Sequence, residues 1–178
     1  FGPKARHLDA VQFLSERMER AEGGPQRIIY HAACHAEWTG QHPNKAAGIY
    51  QKALAGLTGS QVLHTPGCCG ESGLGALTSP AIYNRLRERK KERLAIDLMR
   101  AGREAPVVVG CPSCKVGLMR CLIEMGPEAS AGREVLHAVE LLARLECGEN
   151  WRKELLTAIG GAIAHDGLRL VEGLAVEL

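Results

Sequence analysis

The sequence predicts an α/β fold, a Rossmann-like parallel sheet flanked by helices, with cysteine loops at the C-terminal strand ends. Three observations carry this. Short apolar runs alternate with longer segments of helical periodicity. Serial strand–helix units of that kind build parallel sheets, with right-handed crossovers. Three of the short runs stop within a few residues of a cysteine group.

The elements follow in chain order. Residues 4–21 predict a helix, with Leu8, Val11, Leu14 and Met18 at helical spacing, and "GGP" at 23–25 stops it. Ile28 to Tyr30 is too short an apolar run for a helix and predicts a buried strand ending just before Cys34. Residues 44–57 form the next helix, with Ala46, Ile49, Tyr50, Ala53, Leu54 and Leu57 on one face. "GSQVLHTPG" gives a second strand ending before Cys68 and Cys69. Thr78 or Ser79 caps a long helix with Pro80 in its first turn, running to about Arg100. "APVVVG" at 105–110 is the clearest buried strand and ends at Cys111. A helix starting near Pro112 or Ser113 carries Val116, Met119, Leu122 and Ile123. "REVLHAVELLARL" reads as a strand merging into a helix near His137, and "NWRKELLTAIGGAIAHDGLRL" as a helix broken at Gly160 and Gly161. The expected organisation is an N-terminal helix over 1–24, a cysteine-rich domain over 25–147 and a C-terminal helix and tail over 148–178.

Composition limits what such a chain does. Its 178 residues, 46% apolar and 24% charged, suffice for one domain with a real core. A net charge of +2 gives no global case for a nucleic-acid partner. No apolar run approaches the roughly 20 residues of a membrane span. The chain opens at Phe1 rather than Met, so a fragment or a processed product is expected. The anomaly is seven cysteines: Cys34, Cys68, Cys69, Cys111, Cys114, Cys121 and Cys147. The number is odd and the chain is not small, so metal binding or redox work is expected before a disulfide framework.

Five of them form the pattern Cys34-x33-Cys68-Cys69-x41-Cys111-x2-Cys114. In open α/β sheets the ligand site lies outside the carboxyl ends of the strands, so these groups are expected to converge there. Two cysteines separated by two residues can turn toward one metal where a loop leads into a helix. The free N–H groups of that helix start stabilise thiolates. Glycines around Cys68 and Cys69 permit an unusual backbone, letting neighbouring sulfurs turn to one site. Five thiolates exceed a tetrahedral zinc or a simple cubane. That leaves a larger or irregular iron–sulfur cluster, or four ligands and a spare.

"YHAACH", "PGCCGESG" and "VVVGCPSC" resemble the cysteine-rich CCG domain family. That family includes a cysteine-rich component of heterodisulfide reductase and the iron–sulfur subunits of glycolate oxidase and lactate-utilisation enzymes. The resemblance covers roughly residues 25–147 and implies that Cys34, Cys68, Cys69, Cys111 and Cys114 hold an iron–sulfur cluster, a 4Fe-4S centre of non-cubane form in the best-understood members; some copies of the motif hold zinc instead. Members often carry two copies of the motif, and this chain has one. "GENW", a helix and a Gly-Gly pair resemble the C-terminal end of large FAD-linked oxidases of the D-lactate dehydrogenase type. The implied role is electron transfer in a flavin-linked oxidoreductase acting on a 2-hydroxy acid such as lactate or glycolate. FAD would lie in the parent protein and not in this chain, and the partners would be upstream flavin and ferredoxin-like domains or subunits. The implied location is cytoplasmic, at the inner face of the membrane only through partners. No catalytic residue is expected here. The alternatives are a zinc-binding structural or docking module, and a thiol–disulfide domain cycling Cys111 and Cys114. Three further thiols nearby would scramble that pair.

The remaining features have plainer readings. Cys121 and Cys147 sit on helical patterns and are expected in the core. His31, His35 and His64 adjoin the cysteines, as metal ligands, hydrogen-bond donors to sulfur, or simply loop histidines. "RLRERKKER" is expected as a solvated helix face, the alternative being a dock for an acidic partner or upstream domain. Glu71 and Ser72 suit a turn or helix cap, and Trp38 and Trp151 suit packing. His42 and His165 carry no signal.

Overall fold

The computed structural model describes residues 8–34, 42–71 and 74–166. The elements run α1 (Ala10–Ser15), β1 (Arg27–His31), α2 (Pro43–Thr58), β2 (Gln61–His64), α3 (Leu74–Thr78), α4 (Pro80–Ala101), β3 (Val107–Val109), α5 (Pro112–Glu124), α6 (Pro127–Ser130), β4 (Val135–His137), α7 (Ala138–Cys147) and α8 (Trp151–Asp166). The four strands form one sheet in the order β2-β1-β3-β4, parallel at every pairing. The chain fills one side of β1 with β2, then crosses to the other side for β3 and β4. The strand order therefore reverses between β1 and β3, and that is where such sheets open a crevice for a ligand.

Strand alternation sorts the core into two layers. Ile28, Tyr30, Val108 and Leu136 face one side, packed by Val11, Tyr50, Leu54, Leu57, Leu141 and Leu142 from α1, α2 and α7. Ile29, Val107, Val109 and Val135 face the other, against Leu94 and Leu98 of α4 and Leu118, Cys121 and Leu122 of α5. Cys69 and Cys114 belong to this second layer. Helices on both faces explain why the strands are apolar throughout, with every residue of β3 buried.

Three expectations are corrected. The first helix covers Ala10–Ser15, not the predicted 4–21, of which residues 4–7 lie outside the described residues. Asp9 caps it by accepting a 2.8 Å bond from the Val11 amide. Met18 keeps the apolar periodicity because it packs on the same core from just beyond the helix. The chain is then tied down by the Ala21 amide on the Leu57 carbonyl, 2.8 Å. Helix α8 runs on through Gly160 and Gly161, because a glycine weakens a helix by about 1 kcal/mol without removing a backbone hydrogen bond. The short helices α3 and α6 were not anticipated. No helix among the described residues is long and apolar enough to cross a membrane.

Candidate metal centre

The site is built at the carboxyl ends of β1, β2 and β3. The Thr65 amide bonds the Tyr30 carbonyl (2.8 Å) and the Gly110 amide bonds the His31 carbonyl (3.1 Å), so the three strand-end loops leave the sheet together. Gly67 and Gly70 bracket the cysteine pair with φ of 93° and 73°, both in the left-handed region that favours glycine. These two positions bend the loop back over the sheet and bring Cys69 into the core at 4% exposure. Helix α5 lies against this loop at Gly117. A Cβ there would stand 2.9 Å from the Cys69 carbonyl oxygen and 3.1 Å from the Cys69 Cβ. Glu71 secures the loop from outside through Arg120 of α5 (3.0 Å) and Arg87 of α4 (3.8 Å), so its carboxylate is a structural tie.

The thiols of Cys68, Cys69 and Cys114 are linked in series by hydrogen bonds. The bond to Cys69, then burial, pushes the Cys68 thiol well up; the bond to Cys114 pushes Cys69 up to about 11. A ring nitrogen of His31 and the sulfurs of Cys69 and Cys114 all lie within 4.8 Å of one another, and all three residues are buried. Among the described residues they are the one such group of three or more metal-capable side chains. Cys68 is half-buried, and with His31, His64 and Cys34 it lines a cavity of about 220 Å³. Cys34 is exposed on the loop after β1. Cys111 is half-buried at the N-cap of α5, three residues before Cys114. The structure thus gathers Cys68, Cys69 and Cys114 with His31, sets Cys34 beside the same cavity, and leaves Cys111 at the helix entrance.

Two residues of the site went unrecognised in the sequence. Lys90, inside the run expected to be solvated, is 2% exposed. Its ammonium donates to the Thr65 carbonyl (2.9 Å), Thr65 Oγ1 (3.0 Å) and the Pro66 carbonyl (3.0 Å), and stands 3.1 Å from His31 Nδ1. Thr65 is the other. Burial lowers Lys90 to about 8; burial, then the Lys90 charge, lowers His31 to about 3, so the imidazole is neutral. The signal for Lys90 was available. It lies four residues before Leu94, and Leu94, Asp97, Leu98 and Ala101 continue the same stripe, all buried. The solvated-face reading therefore holds for Arg85, Glu88, Arg89 and Glu92, is corrected at Lys90, and holds only in part for Arg87 and Lys91, which are half-buried.

Cys121 is in the core as expected, whereas Cys147 is exposed because it ends α7 rather than packing under it. Trp151 is half-buried beneath the Arg152 guanidinium, 5.1 Å from its ring centre. His35, Trp38, Ser72 and His165 lie outside the described residues or side chains.

The donor set fits a thiophilic metal or an iron–sulfur cluster. Soft thiolates select zinc, copper(I) and iron–sulfur centres, and the buried histidine adds a nitrogen ligand or an N–H donor to sulfur. Comparison with known proteins agrees. The model of the CCG family, a cysteine-rich domain, matches residues 28–119. The glycolate oxidase iron–sulfur subunit of Escherichia coli (strain K12) is 30% identical over 152 residues, covering 80% of this chain and 33% of that protein. The chain therefore spans about a third of the length of the curated relative it matches.

Proposed function

Because this chain belongs to the CCG family of cysteine-rich domains, we propose that it binds an iron–sulfur cluster and serves as an electron-transfer domain of an oxidoreductase. The observation that carries the proposal is the meeting of the Cys68, Cys69 and Cys114 thiols beside His31 at the sheet's switch point. The ligands on this reading are Cys34, Cys68, Cys69, Cys111 and Cys114. The cluster would be of 4Fe-4S type, in the non-cubane form that the family resemblance implies, and those five thiols would hold it. When bound, the cluster supplies one-electron storage at a potential set by its surroundings. The chain's own residues do the rest. Gly67 and Gly70 let adjacent sulfurs turn to one centre, α5 carries Cys114 and, at its N-cap, Cys111, and the apolar layer of Val109, Leu118 and Cys121 keeps water from the buried half.

The partner on this reading is a flavin-containing domain or subunit that oxidises a 2-hydroxy acid, with ferredoxin-like clusters between the two. FAD and the substrate then lie outside this chain. The similarity to a glycolate oxidase subunit supports it. The setting is the cytoplasm, with the membrane reached only through partners. The second reading is a zinc module, favoured by one observation: two buried cysteines and a buried histidine within 4.8 Å also suit tetrahedral zinc.

Anaerobic purification after growth with ample iron decides between the two. Brown protein with iron, labile sulfide and broad visible absorption is the expected result. Colourless protein with one zinc per chain would sink the iron–sulfur reading. Cys69→Ser is expected to strip or convert the cluster; an unchanged metal content and spectrum would make Cys69 a bystander.

A further inference from the structure

We propose that Lys90 is the buried counter-cation of the cysteine site: it braces the loop entering Cys68 and Cys69 and sets a positive charge beside His31, so that the centre bound there is more easily reduced. The inference rests on the iron–sulfur reading above.

A buried charge is costly unless something compensates it. Lys90 has no carboxylate among its hydrogen-bond partners, which are Thr65, Pro66 and His31. The buried carboxylate of its own helix, Asp97, pairs instead with Arg93 at 3.3 Å. Helix α4 thus delivers an ammonium to the floor of a thiol site. Asp97 offsets part of that charge from a distance, and the negative charge that arrives when those thiols become metal-bound thiolates adds to it at the site itself.

The contacts also place the charge. An ammonium has three donors and no lone pair. The Thr65 carbonyl, Thr65 Oγ1 and the Pro66 carbonyl take all three, and His31 Nδ1 lies 3.1 Å from the ammonium and 3.2 Å from the Thr65 carbonyl, so the loop holds the charge beside the histidine. A ring nitrogen of His31 lies within 4.8 Å of the sulfurs of Cys69 and Cys114, so a single side chain separates the ammonium from the thiol group. Nearby positive charge favours the reduced state, because each electron accepted adds one negative charge. Lys90 is a positioning residue on this account, acting through its charge and through the loop it holds.

The test uses the chain reconstituted anaerobically with iron and sulfide and titrated with dithionite under optical and EPR detection. Lys90→Gln keeps an N–H donor and removes the charge. It is expected to shift the reduction equilibrium at least tenfold toward the oxidised form, about 59 mV for one electron, with iron and sulfide unchanged. Lys90→Arg restores most of the shift. Lys91→Gln, at a neighbour that pairs outward with Glu88 and Glu124, produces none. An unshifted potential in fully loaded Lys90→Gln overturns the inference and leaves the iron–sulfur reading standing. A wild-type chain that takes up no iron overturns both. If Lys90→Gln folds by circular dichroism but takes up no iron, Lys90→Arg decides. Iron restored with the charge supports the counter-cation, and iron absent from both variants overturns it.

Discussion

At Gly117 two opposing effects meet on one atom. Glycine inside α5 costs the helix about 1 kcal/mol relative to alanine, so Gly117→Ala would ordinarily stabilise the chain. The added Cβ would stand 2.9 Å from the Cys69 carbonyl and 3.0 Å from the Glu71 Cβ, and neither belongs to a freely moving side chain end. Relief requires helix and loop to part, which costs more than the helix gains, since overpacking typically costs about 1–3 kcal/mol. Gly117→Ala is therefore expected to lower Tm and to lose iron during gel filtration. A higher Tm with full iron retention would show that the loop yields freely. The glycines on either side of the cysteine pair answer instead to backbone conformation, with φ of 93° at Gly67 and 73° at Gly70, and at Gly70 also to α4, where an added Cβ would stand 3.1 Å from the Tyr83 carbonyl.

Among the elements, the start of α7 ties the framework behind the site. His137 ends β4 and caps α7, its Nδ1 accepting from the Val139 amide at 3.3 Å, while Glu140 accepts from the His137 amide at 2.8 Å to complete a capping box. Glu140 also takes Lys115 of α5 and Arg152 of α8, so one carboxylate joins three helices. Partial burial opposes its charge, yet the Lys115 and His137 bonds hold it down at about 2. The sign follows from linkage. With a folded value below the ordinary carboxylate value of 4.5, its contribution is fully present above that value and is lost as pH falls toward 2. Thermal melts at pH 7, 4 and 2.5 are expected to show a decline that is smaller in Glu140→Gln than in the wild type. Parallel declines in the two proteins would remove Glu140 from the account. At pH 7, Glu140→Ala is expected to cost about 1 kcal/mol, the usual loss with a helix cap.

Taken as a whole, the molecule is a sheet with two unequal faces. Leu54 and Leu118 are both fully buried, the first against α1, α2 and α7, the second beside Cys69 and Cys114. Truncating either to alanine is expected to cost about 2–5 kcal/mol, the range for a buried leucine. The consequences should divide by face. Leu118→Ala is expected to lose iron at temperatures where it is still folded by circular dichroism. Leu54→Ala should keep its cluster absorption until it unfolds. Equal metal loss in both would mean that the centre senses global stability alone.

Much of this was legible in one dimension. Strand–helix alternation, the apolar strands and the cysteine groups at their ends are local properties, since periods of 2 and 3.6 and turn-forming glycines act over a few residues. Those signals sufficed for the α/β class, for the limits of β3 and α4 to within a residue or two, and for the expectation of a thiol site at the strand ends. They failed where packing overrides pattern: at Met18, which packs like a helix residue without being in one, at Cys147, which periodicity put in the core, and at the glycines that α8 passes through. The sheet order β2-β1-β3-β4 and the grouping of Cys68, Cys69, Cys114 and His31 were decided by tertiary structure alone, because they depend on which distant segments share a sheet edge. The same holds for Lys90. Within the sequence it is one cation among many, and it became part of the site only because α4 turns that face inward beneath the loop carrying the cysteine pair.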